Sequence, residues 1–246
     1  MSSAYLLVSH GSRDPRPEIA MQQLAGLVNY KLQKSISATG GVISPPKSEN
    51  LVGIACLEMS SEPLHEQIRI FAQSALASGC NCLKIIPLFL LPGVHVMTDI
   101  PAEIALAQQA LSQDIIIDLQ PYLGSQPGLE TLLTKKMAAI TTEAWILLAH
   151  GSRRPGSQQP VETRAANLGA VSAYWAMSFS LESRVKELIA AGKREIAILP
   201  YFLFTGGITD AIAQSVEELK LHFPAVTFQL AQPLGASAEL ADLICD

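Results

Sequence analysis

The chain has 246 residues, 49% of them hydrophobic and 16% charged, with a formal net charge of −5. That length buries a sizeable core in one large or two small domains, while the acidic balance argues against duplex nucleic acid, whose binding needs a basic face. No apolar run approaches the roughly 20 residues that span a bilayer, and the four cysteines, at 56, 80, 82 and 245, form neither a Cys-x-x-Cys pair nor a disulfide framework.

The first apolar run, Ala4 to Ser9, reads as a buried strand that ends in His10-Gly11-Ser12-Arg13. It is too short for the hydrophobic stretch of a leader, so a cytoplasmic protein with no membrane partner is expected, in a reducing compartment and without an iron–sulfur cluster. A helical pattern follows over Pro17 to Gln33, then a Ser-, Gly-, Pro- and Lys-rich stretch from Lys34 to Asn50 that reads as a surface loop. A second strand, Leu51 to Leu57, is followed directly by Glu58. Next come a helix over Glu62 to Ala77 and a strand over Cys82 to Leu88, which runs into Pro92-Gly93-Val94-His95. A helix starting near Thr98 or Asp99 continues to Leu111, and a fourth strand covers Ile115 to Leu119. Strands over Trp145 to Ala149, Ala170 to Trp175, Glu195 to Leu199 and Val226 to Leu230 then alternate with helices such as Leu181 to Ala190 and Thr209 to His222. Such alternation implies parallel sheets flanked by helices, an α/β chain.

The second series repeats the first. Tyr5-Leu6-Leu7-Val8-Ser9-His10-Gly11-Ser12-Arg13 returns as Trp145-Ile146-Leu147-Leu148-Ala149-His150-Gly151-Ser152-Arg153. Pro87-Leu88-Phe89-Leu90-Leu91-Pro92-Gly93 is answered by Pro200-Tyr201-Phe202-Leu203-Phe204-Thr205-Gly206, and Gln120-Pro121-Tyr122-Leu123-Gly124 by Gln232-Pro233-Leu234-Gly235. The offset is 150 − 10 = 140 at the first motif, then 200 − 87 = 113 and 232 − 120 = 112. The first half therefore holds about 27 extra residues, for which Lys34 to Asn50 is the natural place. Two tandem similar domains are expected, 1–142 and 143–246, each a mainly parallel four-stranded sheet. The second copy lacks two polar groups: Ile208 stands where the first has His95, and Ala176 where it has Glu58.

Strands of a parallel sheet deliver the residues that follow them to one edge, where open α/β sheets keep their chemistry. His10, Glu58 and His95 all follow strands at that edge. Two imidazoles and a carboxylate hold a borderline divalent metal or accept protons near neutral pH. The helix start after Gly11, with Ser12 and Arg13, suits a carboxylate or phosphate. His65 and His222 lie within helices without companions and read as solvated or core-edge residues, and Asp99 and Asp210 read as helix N-caps.

Together, His10-Gly11-Ser12-Arg13, Leu57-Glu58, Pro87-Leu88-Phe89-Leu90-Leu91-Pro92-Gly93-Val94-His95 and Pro200-Tyr201-Phe202-Leu203-Phe204-Thr205-Gly206 resemble the sirohydrochlorin chelatases, the class II tetrapyrrole chelatases, over nearly the whole chain. The resemblance implies a lyase that inserts Fe2+ or Co2+ into sirohydrochlorin for sirohaem or cobalamin. It makes His10 and His95 the metal-handling residues and Glu58 an accessory acid, a metal ligand or a proton acceptor. Gly11, Ser12, Arg13 and the Gly93 amide are the expected contacts for the carboxylates of the macrocycle, with Leu91, Val94 and Met97 against its plane. No cofactor beyond the substrate ion is implied, and two fused halves suit a monomer. Lack of a histidine-rich metal store tilts the expectation towards iron. A tetrapyrrole or metal carrier using the same ligands, and a hydrolase using the His-Gly-Ser loop, are the alternatives.

Overall fold

The computed structural model describes residues 3–38, 52–111, 115–152, 156–177 and 180–245. The first half runs β1 (Ser3–Ser9), α1 (Pro15–Ala38), β2 (Val52–Cys56), α2 (Leu64–Ala77), β3 (Cys82–Pro87), α3 (Ile100–Ala110), β4 (Ile116–Leu119) and α4 (Gly128–Ala138). The second runs β5 (Ala144–Ala149), α5 (Gln159–Asn167), β6 (Ala170–Tyr174), α6 (Leu181–Ala190), β7 (Glu195–Pro200), α7 (Gly207–His222), β8 (Thr227–Leu230) and α8 (Ala238–Cys245). Each predicted strand is present within a residue of its expected ends.

The strands form two parallel sheets of four, in the orders β2-β1-β3-β4 and β6-β5-β7-β8. Near-continuous apolar runs such as Leu6-Leu7-Val8 and Ile146-Leu147-Leu148 are what strands covered on both faces require, and all six residues are buried. On one face of the first sheet Leu6, Val8, Leu83 and Ile85 pack with Leu64 and Ile68 of α2 and Ile100 and Ile104 of α3. The second sheet matches it, with Ile146, Leu148, Ile196 and Ile198 against α6 and α7. Each such buried side chain contributes about 1.5–3 kcal/mol. In both sheets the order reverses beside the first strand, so the loops after β1 and β3, and after β5 and β7, diverge and leave a crevice at the carboxyl edge.

One expectation is corrected here. Helix α1 runs to Ala38, so the start of the predicted Lys34–Asn50 loop is helical, with no proline or glycine between Lys34 and Gly40 to stop it; residues 39–50 lie outside the described residues. Ser9 pairs with Cys56 and Ala149 with Tyr174, so the first crossover is longer by 47 − 25 = 22 residues. Much of this is helix, since α1 has 24 residues and α5 has 9.

Packing also divides the chain elsewhere than the repeat does. One compact unit holds residues 1–126 and 236–246, the other 127–235. Helix α4 belongs with the second sheet, burying Leu129, Leu132, Leu133 and Met137, and its Lys136 ammonium donates to the Pro233 carbonyl at 2.9 Å. Helix α8 belongs with the first sheet, lying against α1 with an ion pair between Lys31 and Asp242. Each repeat thus gives its last helix to the other repeat's sheet. Among the described residues no helix is long and apolar enough to cross a membrane.

Candidate metal centre

The site grows out of the end of β1. Its ladder with β2 continues past both strands, the Leu57 amide donating to the Ser9 carbonyl and the Glu58 amide to the His10 carbonyl, both at 2.9 Å. Gly11 then turns with φ +95°, and a Cβ there would lie 2.0 Å from the Glu58 carbonyl oxygen. Only glycine allows that approach. Met59, next to Glu58, has φ +61° and is alone in that among the described non-glycine residues. The two loops therefore hold His10 and Glu58 side by side through main-chain contacts.

Beyond Gly11 the Ser12 hydroxyl accepts from the Asp14 amide at 3.0 Å, and the Asp14 carboxylate accepts from the Arg16 amide at 3.0 Å while forking its guanidinium. Part of the anion cradle expected at this helix start is thus filled by the chain's own carboxylate. Arg13 is exposed.

His95 arrives from β3. The Leu88 amide donates to the Val8 carbonyl at 2.7 Å, and the following loop is pinned where the Gly124 amide donates to the Phe89 carbonyl at 2.8 Å. The Gly93 amide donates to the Leu91 carbonyl at 2.9 Å, which removes it from the donors expected for a ligand. A single π-helical turn, His95–Asp99, precedes α3, and the Ile100 amide closes it on the His95 carbonyl. His95 is therefore already helical, earlier than the predicted start near Thr98.

These routes bring His10, Glu58 and His95 together. The imidazoles meet edge to face with centroids 4.8 Å apart, and His10 Nε2 lies 3.9 Å from Glu58 Oε2. One ligand atom from each of the three lies within 4.8 Å of the others, the one such group of three among the described residues. Bonds of about 2.1 Å put ligand atoms roughly 3–4 Å apart around a divalent ion, so small side-chain rotations close this set on one. Two imidazoles and a carboxylate suit iron, cobalt, nickel or zinc.

Asp99 is not the helix cap expected of it. No side-chain capping bond forms there, and its Oδ2 lies 2.8 Å from His95 Nδ1. Its i, i+4 spacing from His95 was the signal for this contact. At the start of α7 the N-cap residue is Gly206, and the Thr209 hydroxyl accepts from the Gly206 amide and donates to the Gly206 carbonyl, both at 2.8 Å. His65 has a defined role at the core edge, its amide and Nδ1 both meeting Glu103 Oε2, at 2.7 and 2.8 Å, which ties α2 to α3.

The second sheet repeats the frame and keeps His150, the counterpart of His10, but lacks the other two ligands. The Ala176 amide donates to the His150 carbonyl at 3.0 Å, as Glu58 does to His10, which confirms that pairing of positions. After β7, Ile208 enters α7 directly. Before the π turn the halves align at an offset of 113, Pro87 with Pro200, and after it at 112, with buried Ile100, Ile104 and Ala107 matching buried Ile212, Val216 and Leu219. The π turn is where the first half lodges its extra residue.

Comparison with known proteins agrees with this frame. The chain is 24% identical over 254 residues to the sirohydrochlorin cobaltochelatase of Priestia megaterium, covering 97% of this chain and 76% of that protein. It is 24% identical over 204 residues to the sirohydrochlorin ferrochelatase of the same organism, covering 78% and 74%. The structure of SirB from Bacillus subtilis with Fe3+ superposes with a TM-score of 0.71 at 24% identity, covering 100% of this chain and 93% of that one, so the fold is shared. The family model for CbiX matches residues 4–140 and 144–246, both copies of the repeat; the chain belongs to the CbiX family.

Proposed function

We propose that the protein is a sirohydrochlorin chelatase, a lyase that inserts Fe2+ or Co2+ into the free-base macrocycle. Its working centre lies in repeat 1–142, and repeat 143–246 is a degenerate copy that keeps only His150 of the three ligand positions. The observation that carries this reading is the convergence of His10, Glu58 and His95 at the reversal point of the first sheet. Family membership and the activities of the Priestia relatives supply the substrate.

Insertion exchanges two pyrrole protons for one divalent ion. The ion sheds water as it binds His10, His95 and Glu58, and ring nitrogens then displace these ligands one at a time. Each imidazole that releases the ion regains a lone pair beside a pyrrole N–H, so the group that hands over the metal becomes the base. Glu58, with a half-exposed side chain, passes protons to solvent. Met59 and Met97, 58% and 65% exposed, with half-buried Leu91 and Val94, offer apolar surface to the ring plane. Arg13 and the Ser12 hydroxyl, whose proton is free while its oxygen accepts from Asp14, are suited to the ring's carboxylates, with Gly11 giving the close approach. The substrate ion is the one metal required, iron is the favoured one, and a single chain suffices.

The test is an anaerobic absorbance time course with sirohydrochlorin and Fe2+ or Co2+. Wild type is expected to convert the free-base spectrum faster than the protein-free control, His10→Ala and His95→Ala to lose at least about 100-fold in rate, and His150→Ala to match wild type. Ring binding without acceleration would make the protein a carrier, and no spectral response would end the chelatase reading.

A further inference from the structure

Glu58 and the two histidines do not account for how His95 is aimed. Its Nδ1 lies 2.8 Å from Asp99 Oδ2, with both side chains about one-third exposed. A carboxylate only accepts, so this contact places the proton on Nδ1 and leaves the lone pair of the neutral ring on Nε2. The bond also fixes χ2, turning the ring edge to edge-to-face contact with His10. An ordinary α-helix places residues i and i+4 on one face but about 40° apart. The π turn, with its closing bond from the Ile100 amide to the His95 carbonyl, widens the coil and brings His95 and Asp99 closer to one line.

Glu103 stands four residues further along the same helix and is held by His65 of α2, through both its main-chain amide and its ring. Helix α3 is therefore braced one turn beyond Asp99 by a second histidine–carboxylate pair. The second half lacks the aiming pair, since Ile208 stands in place of His95. It has one residue fewer between Pro200 and Ile212 than the first has between Pro87 and Ile100, its helix starts without a π turn, and neither Ala211 nor Ile212 offers a carboxylate.

We infer that Asp99 is a positioning residue for metal capture, which fixes the tautomer and orientation of His95, and that the one-residue π insertion exists to deliver it. This rests on the reading of His10, Glu58 and His95 as the ligands of the incoming ion. Carboxylates behind metal-binding histidines are worth 10–100-fold in affinity in general, and an effect of that size is expected here.

The test is calorimetric titration with Co2+ alone, without tetrapyrrole, on wild type, Asp99→Ala, Asp99→Asn and His10→Ala, together with long-range 15N–1H spectra of the metal-free histidines. Wild type is expected to show His95 with its proton on Nδ1. Asp99→Ala should bind Co2+ about 10–100-fold more weakly with an unchanged thermal midpoint, and Asp99→Asn, whose amide oxygen still accepts from Nδ1, should recover part of the loss. Unchanged Co2+ affinity in Asp99→Ala, beside a loss in His10→Ala, would overturn the role of Asp99 and leave the site standing. A fall in thermal midpoint with an unaltered His95 tautomer would reduce Asp99 to a structural residue. If His10→Ala binds Co2+ as wild type does, the ligand assignment fails and this inference with it.

Discussion

At Gly11 a single added carbon would sit 2.0 Å from the carbonyl oxygen of Glu58, on a backbone already at φ +95°. Neither problem yields to a side-chain rotation, so Gly11→Ala must push the Glu58 loop away from His10. Gly151 has a similar φ, +87°, but its added carbon would meet the Met177 side chain and Tyr174 Cβ at 3.0 Å, neither of them in a loop that carries a ligand. Both substitutions carry the backbone penalty, about 1–3 kcal/mol, and urea unfolding should register each. Only Gly11→Ala should also weaken Co2+ binding, because only there does the strain move a ligand; equal affinities in the two variants would refute the argument. Sequence reasoning reached His10, Glu58 and His95 because each follows a recognisable buried strand, and the losses at Ala176 and Ile208 singled two of them out. Asp99 was misread because its meaning depends on where a helix starts, and a π turn moves that start by most of a turn without any change in the apolar pattern.

Among the elements, the strands were legible almost to the residue, since a parallel strand covered on both faces is an unbroken apolar run bounded by polar turns. What the pattern does not carry is the anchoring of strand beginnings, as at Glu143. Its carboxylate accepts from the Arg194 amide at 2.7 Å and the Glu195 amide at 3.4 Å, tying the segment before β5 to the start of β7. Those amides, the Arg194 bond foremost, hold the Glu143 carboxyl below its ordinary value of 4.5. A lowered folded pKa means that the stabilisation is present above the unfolded value and is lost as pH falls through the folded one. Thermal melts of Glu143→Gln against wild type are therefore expected to differ near neutrality and to converge in acid, below the usual carboxylate range. A gap that persists there would assign the effect to packing instead. The brace between α2 and α3 gives a companion prediction: Glu103→Ala should lower protection from hydrogen exchange at the start of α2, where the His65 amide loses its acceptor, and unaltered exchange there would show the bond to be idle.

For the whole molecule, the repeat announced two sheets, and two sheets are found. It did not announce that the repeats exchange their last helices, because an apolar stripe says that a helix is covered without saying by which sheet. Leu240 of α8 is fully buried in the unit that carries His10 and His95, although more than 200 residues separate it from β1. Leu240→Ala should remove about 2–5 kcal/mol from that unit, seen as faster hydrogen exchange in β1 to β4, with the second sheet unaffected. Loss of protection in the second sheet alone would place α8 wrongly.

The placement of α8 also bears on synthesis. A ribosome adds about 5–20 residues per second, so residues 127–235, which complete the second unit, separate the four strands of the first from its final helix by roughly 5–20 s. The part made first is finished last, and the part made second has all its residues before it. A nascent chain stalled on a C-terminal linker long enough to carry Gly235 clear of the exit tunnel, but lacking α8, is expected to hold a protease-resistant second unit and an unfinished first one, and to gain Co2+ capture only when α8 is added and has emerged.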